Sequence, residues 1–69
     1  MKNTVLVDAQ NKLGFSKAEM ARALSVHYNT YDKWERGEQK PQAAVYTAVD
    51  MLLFMHAKGI LTEWMSRAE

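Results

Sequence analysis

Apolar residues recur along this chain at helical rather than strand spacing. Leu6, Ala9 and Leu13 stand at i, i+3 and i+7 and predict a first helix over 4–13, with Asn3 or Thr4 as its N-cap and Gly14 as its stop. Ser16 followed by Glu19 forms a capping box. The hydroxyl accepts from one orphan amide while the carboxylate reaches back to another, which sets the start of a second helix at Lys17. Met20, Leu24, Val26, Tyr31 and Trp34 are apolar, and Ala21 is small where two crossing helices must come close. This stretch predicts a helix, a tight turn and a third helix, capped near His27 or Asn29 and running to about Arg36, where Gly37 ends it. A polar loop over 38–40 leads to Pro41, which suits the first turn of a fourth helix over about 42–57. Val45, Ala48, Val49, Met51, Leu52, Leu53, Phe54 and Met55 cover more than one stripe of it, so it is expected to bury two faces. Gly59 ends that helix, and Leu61 or Thr62 opens a short last one carrying Trp64 and Met65. With no alternating stretch, the expected fold is all-α: a compact bundle of about five helices around a central helix-turn-helix.

Composition narrows the functional classes. Sixty-nine residues are read as a single domain over 1–69. Below ~70–80 residues one core seldom supplies more than ~3–5 kcal/mol, so disulfides, a metal or a partner subunit are the usual supplements. The chain has no Cys, and His27 and His56 are its only histidines, which leaves neither a disulfide nor a structural zinc site; no metal and no cofactor are expected. No carboxylate or Ser is spaced to complete a catalytic site with either histidine, so the chain is not read as an enzyme. A partner subunit remains, in keeping with a hydrophobic share of 48%. No apolar run approaches the ~18 residues that cross a bilayer and the opening MKNTVLVDAQ lacks a signal-peptide layout, so the expected location is the cytoplasm, away from membranes. Net charge is only +1. Residues 1–40 hold seven Lys or Arg against five Asp or Glu, and 41–69 hold two against three. Charge alone does not suggest nucleic acid.

The motif does. Leu13-Gly14-Phe15-Ser16, Met20-Ala21, Leu24-Ser25-Val26, Thr30-Tyr31 and Trp34-Glu35-Arg36-Gly37, followed by Pro41, resemble the lambda-repressor-like (Cro/C1-type) helix-turn-helix family over about residues 4–53. The resemblance implies sequence-specific binding of double-stranded DNA, with the third helix in the major groove. A small autoregulator of phage or bacterial type would suit the length.

On this resemblance Tyr28, Asn29 and Lys33 meet base edges, with Thr30 and Asp32 flanking. Asn29 can pair bidentately with adenine and Lys33 can donate to guanine, each worth roughly 1–3 kcal/mol of discrimination. Tyr28 can touch a thymine methyl or a phosphate. Lys17, Arg36, Gly37 and Lys40 are the expected phosphate contacts. The plainer alternatives are a solvated polar face for 28–33 and ordinary surface lysines at 17 and 40. Glu35 is read as structural, bonded to a backbone amide or to Arg22. Ser25 occupies the turn position where the family often has Gly, at a strain of ~1 kcal/mol. Asp32 could accept from cytosine or point away from phosphate, and its role is open.

The tail resembles nothing comparable. Its apolar residues, Met51, Phe54, Met55, Ile60, Leu61, Trp64 and Met65, are expected to form a dimer interface, with 51–69 as the dimerisation segment. The expected function is a homodimeric repressor, of its own operon, on an inverted-repeat operator. The alternative is an antitoxin of the same fold whose tail holds a toxin partner.

Overall fold

A computed structural model describes residues 2–66. Five helices follow in order: α1 Thr4–Leu13, α2 Lys17–Ala23, α3 Tyr28–Arg36, α4 Ala43–Ala57 and α5 Leu61–Ser66. Among the described residues there is no strand. The bundle is all-α, as the spacing of apolar residues predicts.

Local chemistry sets most of the boundaries. Asn3 caps α1, its side-chain oxygen accepting from the Leu6 amide at 3.2 Å. The same residue ties α1 to two other elements: its side-chain nitrogen donates to Tyr46 Oη at 2.9 Å and its amide donates to the Glu35 carbonyl at 2.8 Å. The Ser16–Glu19 capping box is present, with Glu19 Oε1 accepting from the Ser16 amide at 2.8 Å. Ser25 turns the chain between α2 and α3 at φ 59, a left-handed backbone that an L side chain tolerates at a cost of about 1–2 kcal/mol. His27 is the N-cap of α3, without a side-chain capping bond.

Leu6, Ala9 and Leu13 of α1, Met20 and Ala21 of α2, Tyr31 of α3, Val49 and Leu52 of α4 and Leu61 of α5 form one buried core. Fully burying a side chain such as Leu6, Met20 or Val49 stabilises the fold by roughly 1.5–3 kcal/mol. Leu24, Val26, Phe15 and Trp34 pack around it, partly buried. α2 packs on α3, and α1 packs on both α3 and α4.

Three expectations change. Pro41 does not enter the first turn of α4. It is buried ahead of the N-cap Gln42, and the helix begins at Ala43. Only Val49 and Leu52 of α4 are buried, while Met51 and Phe54 remain 59% and 61% exposed, so within one chain α4 buries one face and leaves the other open. Leu61 belongs to this core rather than to an exposed tail surface. The chain reverses at Gly59 (φ 75), the Ile60 amide donates to Met55 O at 3.0 Å, and Leu61 turns inward to 8% exposure. The expected tail runs on to 69, and residues 67–69 lie outside the described residues.

Candidate nucleic-acid interface

Helix α3 is amphipathic by position. Tyr31 faces the core with its ring fully buried, and its hydroxyl donates to Gln10 Oε1 at 3.0 Å. Burial pushes the Tyr31 phenol far above its usual range, and the nearby Glu35 carboxylate adds to the effect. This anchor fixes the rotation of the helix about its axis. Asn29 and Lys33 are thereby turned outward, and Tyr28 is exposed at the first position of the helix; the side chains of all three have no hydrogen-bond or ion-pair partner among the described residues. Asn29 and Lys33 are one turn apart and share a face, as do Tyr28 and Asp32. Thr30 is half-buried at the edge of this face. The residues expected to read bases are therefore brought together, exposed, on one side of a rigidly anchored helix.

The phosphate candidates divide. Lys40 is exposed and, like Lys33, unpaired among the described residues. Lys17 and Arg36 are held by carboxylates: Lys17 Nζ lies 2.7 Å from Asp32 Oδ1 and 3.5 Å from Glu35 Oε1, and Arg36 Nε lies 3.0 Å from Asp32 Oδ2. A second arm of Arg36 pairs with Glu38. The hydrogen bond from Lys17 holds the Asp32 carboxyl below its usual range despite partial desolvation, and the charge of Arg36 acts in the same direction. The same bond raises the Lys17 ammonium above its usual range. Gly37 is corrected to a different role. At φ 80 its only donor, the amide, points back to Trp34 O at 3.1 Å, and the Glu38 and Gln39 amides likewise return to Lys33 O. Those amides close the C-terminus of α3 and are not available to a phosphate.

Two features lay beyond sequence reasoning. Asp32 bridges Lys17 and Arg36; its i, i+4 spacing to Arg36 was a readable signal, whereas the link to Lys17 spans fifteen positions. Glu35, read as structural, is buried. Its Oε1 faces Lys17 and its Oε2 has no hydrogen-bond partner among the described residues.

Ala23, Ala48, Met51, Leu52, Phe54, Met55 and Trp64 line an apolar groove of about 390 Å³ between α2, α4 and α5. Lys58 Nζ sits 5.5 Å from the centroid of the Phe54 ring. No group of His, Asp or Glu among the described residues is arranged to hold a metal ion, and no described helix is long and apolar enough to cross a membrane.

Residues 10–50 match the helix-turn-helix family. No curated protein and no solved structure matches the chain. The matched span runs from the end of α1 to the middle of α4 and contains the whole of the α2–turn–α3 unit with its outward trio. With that span covering more than half its length, the chain belongs to the lambda-repressor-like helix-turn-helix family of DNA-binding regulators.

Proposed function

We propose that the chain acts as a homodimeric repressor that binds an inverted-repeat operator, with α3 in the major groove of each half-site. The observation that carries this reading is the set Tyr28, Asn29 and Lys33: exposed, without internal partners, and presented by a helix whose rotation is fixed by buried Tyr31. Asn29 suits adenine and Lys33 suits guanine. Lys40, with Lys17 and Arg36 after exchange of their carboxylate partners, contacts phosphates on either side of the groove. Repression then needs no chemistry beyond occupancy of a promoter.

Dimerisation is supported by the uncovered face of α4. Met51 and Phe54 are one turn apart and more than half exposed, Met55 and Trp64 lie half-buried in the same groove, and Ile60 is 43% exposed. A body 32 Å along its longest axis can sit beside a second copy with recognition helices ~34–36 Å apart, the spacing of successive major grooves on one side of a duplex. Sedimentation of the protein alone and on DNA tests the reading. Two chains per duplex and a dimer in free solution are expected, and one chain per duplex would overturn the two-fold arrangement. Stoichiometric capture of a small toxin, with loss of the free dimer, would instead favour the antitoxin alternative.

A further inference from the structure

The face assigned to DNA contains its own anions. Asp32 lies on α3 one turn from both Tyr28 and Arg36 and three residues from Asn29, within the surface that would approach the duplex. Its two oxygens are divided between cations from different elements, Oδ1 to Lys17 at 2.7 Å and Oδ2 to Arg36 at 3.0 Å. Glu38 holds another nitrogen of Arg36, and Glu35 stands behind Lys17 at 3.5 Å. A carboxylate that binds two cations through separate oxygens does what a backbone phosphate does with the same groups. Both cations also keep contact with solvent, their side chains 35% and 52% exposed, so exchange of one anion for another is open to them.

We propose that Asp32, with Glu38 beside it, is an internal substitute for DNA phosphate that occupies Lys17 and Arg36 in the free protein and so limits binding to the DNA backbone. The inference rests on the placement of Lys17 and Arg36 against phosphates proposed above. DNA must displace Asp32 to recruit either cation, and the released carboxylate then faces a negatively charged duplex. Fewer cations are free to release counterions, and sequence-independent binding is correspondingly weak and only mildly salt-dependent. The weak net charge of the chain, +1, agrees with such restraint.

The test is titration of a labelled duplex of arbitrary sequence with the full chain over a salt series, comparing wild type, Asp32→Asn and Glu38→Gln. Displacing two partly exposed ion pairs predicts that Asp32→Asn binds roughly two- to thirtyfold more tightly at low salt. The slope of log affinity against log salt should steepen by about 0.9 for each additional phosphate neutralised, up to about 1.8 per chain. Glu38→Gln, at an exposed site, should steepen it by a smaller amount. Wild-type affinity and slope in Asp32→Asn would overturn the inference while leaving DNA binding intact, and so would a change confined to one base-pair position of the preferred site. If Asp32→Asn loses its helical circular dichroism, an unchanged slope in folded Glu38→Gln overturns it. A wild-type chain that binds no duplex overturns both this inference and the proposed function.

Discussion

Lys17 Nζ stands 2.7 Å from Asp32 Oδ1, so the first residue of α2 is tied to the middle of α3 across the turn. On the adjoining side of α3, Tyr31 is buried in the core, while Tyr28, Asn29 and Lys33 stay exposed.

Acid should loosen that tie. Asp32 binds its proton more weakly in the folded chain than in the unfolded chain, so its contribution is present above the ordinary value of 3.8 and is lost as pH falls through the lower folded value. Glu19, lowered from 4.5 chiefly by the hydrogen bond from the Ser16 amide, acts in the same sense. Thermal melts from about pH 6 to pH 2 are expected to show a falling Tm. The fall should be shallower in Asp32→Asn, whose side chain has no proton to gain; parallel curves would show that the pair contributes nothing.

Alkali should act through Tyr31. Its proton is held more tightly in the folded chain, so its contribution is complete below the ordinary value of 10.0 and is lost as pH rises beyond it. Tyr31→Phe removes the bond to Gln10 and should lower stability at neutral pH by about 0.5–1.5 kcal/mol, read by urea unfolding. It should also flatten the alkaline decline.

Ser25 offers the converse change. At φ 59 it carries strain that glycine does not, so Ser25→Gly should raise stability by up to about 1 kcal/mol and leave DNA affinity unchanged. Destabilisation in urea would show that the turn is held by the serine side chain instead.

These residues also mark how far the chain could be read in advance. The helix starts at Thr4 and Lys17, the stops at Gly14 and Gly37 and the strained turn at Ser25 depend on neighbours within a few positions, and each was legible. The outward placing of Tyr28, Asn29 and Lys33 was implied by the family resemblance; helical phase from Tyr31 supports it for Asn29 and Lys33, whereas Tyr28, three positions before Tyr31, is exposed at the first position of α3. Contacts between elements were not. The pairing of Lys17 with Asp32, the Tyr31–Gln10 bond and the inward turn of Leu61 depend on how the helices cross, and residue spacing does not encode that. Pro41 misled because its fitness for a first helical turn is local, while its burial ahead of Gln42 is tertiary.

The tail should separate into two kinds of residue. Leu61→Ala, in the core, is expected to cost about 2–5 kcal/mol of stability. A double change of Met51 and Phe54 to Ser, both exposed, should leave the monomer folded and abolish the dimer in sedimentation. An unchanged dimer mass in that variant would move the interface elsewhere.

The most direct test of the account is selection of bound duplexes from a random pool by the wild-type protein, repeated with Asn29→Ala and Lys33→Ala. The account predicts an inverted repeat with half-site centres about one helical turn apart, ~34–36 Å, and each substitution should relax preference at one position per half-site by roughly 1–3 kcal/mol. A pool that shows no enriched sequence, or one whose preferred sequence is unchanged in both variants, would contradict it.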